Sequence, residues 1–128
     1  MPHAMPDTCF VWTADTIPWQ ETSADGSRFA LLEGRRDVPG GAYTYAAFVP
    51  KGVWSKAHFH TQATRLVVLR GSLWLGFGDK ADRASMTAYP VGSYLMVPGG
   101  TRHFDGAEED TVVIATAIGV SETVHLEK

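Results

Sequence analysis

Two histidines one residue apart, His58 and His60, sit in a stretch that otherwise reads as strand, Gly52 to Gly71, GVWSKAHFHTQATRLVVLRG. Successive side chains of an extended chain point to opposite faces, so His-x-His puts both imidazoles on one face, about 7 Å apart at their Cα atoms. That spacing suits two ligands of one metal ion. It also suits two solvated or hydrogen-bonded imidazoles, which on a polar strand face are the commoner case. A second framed stretch, Gly92 to His103, GSYLMVPGGTRH, supplies another histidine behind a Pro-Gly-Gly turn and makes His103 the third ligand candidate.

Glycines and prolines frame these histidines. Gly52, His58, His60 and Gly71, followed by Gly92, Pro98, Gly100 and His103, resemble the two signature motifs of the cupin superfamily, G-x5-H-x-H-x(3,4)-E-x6-G and G-x5-P-x-G-x2-H-x3-N. The resemblance runs from about Ser27 to Val120. It implies an all-β fold, a jelly-roll (double-stranded β-helix) barrel, with a metal site inside it held by His58, His60 and His103. The sequence departs from the pattern twice. Thr64 stands where the family usually has its glutamate ligand, and Ala107 where it often has asparagine.

Three imidazoles around one ion would leave half its shell open, and open positions distinguish a catalytic site from a closed structural one. Imidazole suits first-row divalent ions, so the expected cofactor is one transition metal among Fe, Zn, Ni, Cu and Mn. Thr64 would face the ion if the chain resumes strand geometry after His60, its hydroxyl holding a water. Gln62 shares the even-numbered face and is the runner-up ligand through its amide oxygen, against the simpler reading of a loop residue bonded to backbone. Arg70, also even-numbered, either enters the barrel as an anion clamp or ends its strand in solvent, the latter preferred. Arg102 should point away from the site. His3 and His125 have no frame around them and receive no role.

The elements that must position these groups are short strands. A chain of 128 residues with 13 Gly, 7 Pro and no long helical period fits one all-β domain of short strands and many turns. Strands are expected at Phe29–Glu33, Tyr43–Val49, Thr64–Leu69, Leu73–Phe77, Thr87–Tyr89, Tyr94–Val97, Thr111–Ile118 and Thr123–Leu126. Arg70-Gly71-Ser72 reads as a hairpin turn and Gly78–Asp82 as a solvated tip. Residues 27–128 form the barrel domain. Residues 1–26 carry Phe10, Val11, Trp12, Ile17 and Trp19, too many large apolar groups for a free tail. Either the barrel's own outer wall or a second subunit covers them, and the resemblance implies a homodimer paired through this segment.

A net charge of -3 argues against nucleic acid, which calls for a basic patch. No apolar run approaches the ~18 residues of a membrane span, and the start lacks the pattern of a signal peptide. Cys9 is the single cysteine, so a reducing compartment is acceptable and the cytoplasm is expected. There is no G-x-S-x-G elbow, P-loop, C-x-x-C pair or H-E-x-x-H helix. The expected partner is a small molecule. The resemblance leaves three readings open: a mononuclear non-haem metal (Fe) dioxygenase acting on a small carbonyl, carboxylate or thiol compound, a non-catalytic metal-dependent binding or sensor module, or a degenerate cupin with an empty site.

Overall fold

The computed structural model describes residues 9–128, and His3 lies outside them. Its strands run in chain order as β1 (Glu21–Thr22), β2 (Arg28–Gly34), β3 (Ala42–Val49), β4 (His58–His60), β5 (Thr64–Arg70), β6 (Ser72–Phe77), β7 (Thr87–Pro90), β8 (Tyr94–Val97), β9 (His103–Gly106), β10 (Thr111–Ile118) and β11 (Thr123–His125). All pairings are antiparallel. They build a six-stranded sheet, β1-β2-β3-β10-β5-β8, and a five-stranded sheet, β11-β4-β9-β6-β7. This is the expected all-β jelly roll. Among the described residues no helix is long and apolar enough to cross a membrane.

Side-chain alternation along β10 divides two apolar clusters. Val113 points inward and meets Val68 and Leu73 between the sheets, with Leu66, Ala47 and Leu95 against them. Val112 points the other way and joins Ile17, Ala30 and Ala46 on the outer face of the six-stranded sheet. Trp19 lies on this outer cluster with its ring edge against Phe48, centroids 6.1 Å apart. The segment before β1 therefore packs on the chain's own sheet at Ile17 and Trp19, while Phe10, Val11 and Trp12 stay exposed.

The turn at Gly71 is not a hairpin. β5 and β6 belong to different sheets, so the chain crosses from one to the other at this point. Gly71 has φ +74°, and a Cβ there would stand 2.5 Å from the Asp110 carbonyl oxygen and the Thr111 hydroxyl. Only glycine fits so tight a crossing. Thr111 fastens it, donating to the Ser72 carbonyl at 3.0 Å while its oxygen accepts from the Ser72 amide at 3.2 Å. β6 forms its hairpin with β7 instead, at the far end of β6, and the connection there holds a short 3-10 turn, Arg83–Ser85.

Candidate metal centre

β4 and β9 are neighbours in the five-stranded sheet, with His58 directly opposite His103. Strand alternation brings His60 to the same face. Ring centroids are 4.4 Å apart for His58 and His103, 5.1 Å for His58 and His60, and 5.3 Å for His60 and His103. One nitrogen from each ring lies within 4.8 Å of the others. Ligand nitrogens about 2.1 Å from one ion can stand as far as about 4.2 Å apart, so small ring rotations suffice to close the triad round an ion.

The Pro-Gly-Gly turn delivers His103 to this place. The Gly100 amide donates to the His60 carbonyl at 2.8 Å, and a Cβ on Gly99 would meet the Thr61 carbonyl oxygen at 2.7 Å. The turn lies directly on the end of β4, an approach that glycine permits. Gly100 itself takes φ +80°.

Hydrogen bonds fix which nitrogen each ring offers. His58 Nδ1 lies 2.7 Å from the Lys56 carbonyl and His103 Nδ1 lies 2.8 Å from the Thr101 carbonyl. A carbonyl only accepts, so both Nδ1 atoms carry the proton and both Nε2 lone pairs are free. His60 Nδ1 pairs with the Thr123 hydroxyl on β11 at 2.9 Å, and when Nδ1 donates, its Nε2 is free as well. Such anchoring of the far nitrogen is the usual support of a metal-ligating histidine. Burial, then the neighbouring charges of His58 and His103, push His60 down to about 4. Burial also lowers His103, partly opposed by its bond to Thr101. These two rings are therefore neutral at pH 7, the form a metal ion needs. The donor set fits one divalent transition ion.

A cavity of about 120 Å³ opens in front of His60 and His103. Thr64, 9% exposed, lines it as expected from strand parity. Gln62 does not: it falls in the bend between β4 and β5, where alternation is interrupted, and is exposed. Arg70 also stays outside. The β10 to β5 register shifts between Val112 and Val113, so Arg70 pairs with outward-facing Val112 although Val68 faces in. This bulge reverses the parity. Arg70 then meets Asp15 at 3.0 Å, its side chain 49% exposed. Ala107 is completely buried where the motif often has asparagine.

Three residues were not anticipated from sequence. Asp105 lines the cavity two residues beyond His103 on β9, a place that parity from His103 would have indicated. Tyr45 lines it from β3. His125 stands across from His58 on β11, ring centroids 6.1 Å apart.

Comparison with known proteins agrees with this architecture. Residues 7–122 match the family model described as ChrR Cupin-like domain. Comparison with curated proteins gives no match. Among solved structures, an uncharacterized conserved protein with a double-stranded β-helix domain from Klebsiella pneumoniae is similar with a TM-score of 0.67 at 14% identity, covering 92% of this chain and 97% of that one. KdgF from Halomonas sp. is similar with a TM-score of 0.62 at 17% identity, over 82% of this chain and 90% of that one. Salicylate 1,2-dioxygenase from Pseudoaminobacter salicylatoxidans, in a structure with gentisate adducts, is similar with a TM-score of 0.64 at 14% identity. That likeness covers 81% of this chain but only 30% of the dioxygenase. The family match spans nearly the whole sequence, and the fold agrees with it: the chain belongs to the cupin superfamily, in the family of ChrR cupin-like domains.

Proposed function

We propose that this cupin holds one divalent transition metal through His58, His60 and His103 and acts as a mononuclear non-haem dioxygenase on a small carbonyl, carboxylate or thiol compound. The observation that carries the reading is the pairing of three oriented imidazoles with a largely apolar cavity, which His60 and His103 line. A metal there, with part of its shell free, would supply Lewis acidity and redox capacity beside the cavity. The chain's own groups do the rest. Lys56, Thr101 and Thr123 hold the rings, and Val97, Leu66 and Val113 make the cavity wall apolar. Water is thereby limited, and a compact ligand is favoured over a polymer. Thr64 offers a neutral hydroxyl instead of a carboxylate, which leaves the metal-ligand unit about one charge more positive and favours an anionic or enolisable ligand. Salicylate 1,2-dioxygenase supports the reading as a fold relative, by its name alone.

Metal-dependent binding without catalysis is the second reading, since the three imidazoles and the cavity would serve a bound ligand equally well. The Thr64→Glu variant separates the two. The added carboxylate should tighten metal binding in either case, because residue 64 lines the cavity. Under the dioxygenase reading it also occupies an open position, so oxygen uptake with diketones, keto acids or thiols, present in the Fe(II)-loaded parent, should be lost. A parent that loads iron yet consumes no oxygen across that panel would favour the binding module. Unchanged metal affinity in the variant would refute the geometry.

A further inference from the structure

The cavity has polar groups that metal binding does not use. On β9, Asp105 follows His103 by two residues, one inward-facing row deeper and about 7 Å further at Cα. Across the cavity on the other sheet, Tyr45, Ala115 and Leu66 form one row, and Tyr43, Ala117 and Thr64 form the neighbouring one. Tyr45, with its phenolic hydroxyl, and Asp105 both line the cavity, from opposite sheets. Burial first, then the charges of Tyr43 and Asp105, push that hydroxyl up to about 12, so at neutral pH it is a donor. Asp105 is tied to the protein by its backbone amide, which donates to Ser55 Oγ at 2.9 Å, and the residue lines the cavity. Apart from this pair, Thr64 and the two histidines, the lining is apolar, with Ala47, Leu73 and Val113 among it.

We propose that Tyr45 and Asp105 form a hydroxyl-recognising subsite, and that the ligand is a short hydroxylated carbonyl or carboxylate compound. Its chelating oxygens face the histidines, and its hydroxyl donates to Asp105 and accepts from Tyr45. The assignment rests on the metal-binding reading above. A donor beside an acceptor matches a hydroxyl, which offers both. A ligand carboxylate at this end would face Asp105 as a like charge, so the anionic end is directed to the metal. Ala115 sets the room available. It stands between Tyr45 and Leu66 and is 1% exposed, so any larger side chain there grows into the cavity.

The test uses the Co(II)-loaded protein, whose visible spectrum reports both metal uptake and ligand arrival, titrated with 4-hydroxy-2-oxobutanoate and with 2-oxobutanoate. A site built to bond a hydroxyl discriminates against the analogue lacking it, so the parent should bind the hydroxylated probe at least ~10-fold more tightly. In Tyr45→Phe that preference should fall below ~2-fold with Co(II) uptake unchanged. Asp105→Asn should reduce it as well, the ratio of the two probes serving as its own control. Ala115→Leu should lose both probes and retain Co(II). Equal affinities in the parent, or a preference undiminished in both Tyr45→Phe and Asp105→Asn, overturn the subsite. A parent that takes up no Co(II) overturns the metal reading and the subsite with it, whereas uptake without hydroxyl preference overturns the subsite alone.

Discussion

The two sheets divide the work unequally. The six-stranded sheet contains the longest strands, β3 and β10, paired along their whole length, and it is apolar on both faces, toward the interior and toward Ile17 and Trp19. The five-stranded sheet carries His58, His60, His103 and Asp105 on short strands, β4 having three residues and β9 four. Strands that short cannot fix side chains by ladder bonds alone. Their histidines are held instead by Lys56 and Thr101 from the preceding chain and by Thr123 from an edge strand. Stability should therefore reside mainly in one sheet and ligand geometry in the other.

The largest effect that can break this division is expected in the scaffold. Val68 is 1% exposed and packs against Leu73 and Val113, so Val68→Ala should cost about 2 kcal/mol, roughly 30-fold in the folding equilibrium. Denaturant titration measures it. Metal affinity of the folded variant should be unchanged, and a parallel loss of affinity would show that the sheets are not separable.

A smaller change is expected at the other sheet. Thr123→Val keeps the shape of β11 but removes the hydroxyl from His60 Nδ1, and loss of such an outer partner lowers metal affinity by about 10-fold or more. Thr123→Ser should restore it, with stability nearly constant in both. Equal affinity in the valine and serine variants would mean that His60 is oriented by packing alone.

Much of this arrangement was legible in the sequence, because its motifs are local. His-x-His on a strand and Pro-Gly-Gly ahead of His103 are short-range patterns, and the strand at Tyr94–Val97 and the one at Thr111–Ile118 have the expected bounds. Strand parity misleads where alternation is interrupted. Gln62 falls in a bend and the bulge at Leu69 turns Arg70 outward, so the preferred readings of a loop residue and a solvent-facing strand end hold, and the alternatives built on even numbering do not. Gly71 reads as a hairpin glycine by composition, but whether the next strand joins the same sheet depends on Asp110 and Thr111, which are distant in the chain. Asp105 and Tyr45 belong to opposite sheets, and no short pattern signals that they line one cavity. His125 lacks a frame because its place beside His58 is set by β11 pairing.

The smallest effect sharpens the electrostatic side of the comparison. In metal-free protein His60 is depressed to about 4, whereas in the unfolded chain it titrates near 6.5. Below pH 6.5 the unfolded state binds the extra proton, so this contribution is complete above about 6.5 and is lost as the pH falls toward about 4. His103 shifts in the same direction. Denaturation midpoints measured in chelator should decline across that window, less steeply in His60→Gln. Parent and variant midpoints that run parallel would contradict the assignment.

The most direct measurement of the central claim is the metal content of anaerobically purified protein after equilibration with Fe(II), Zn(II) or Co(II), set beside His58→Ala, His60→Ala and His103→Ala. A three-histidine centre predicts about one ion per chain in the parent and strongly reduced retention in each variant. Retention of stoichiometric metal in all three variants, or none in the parent, would contradict it.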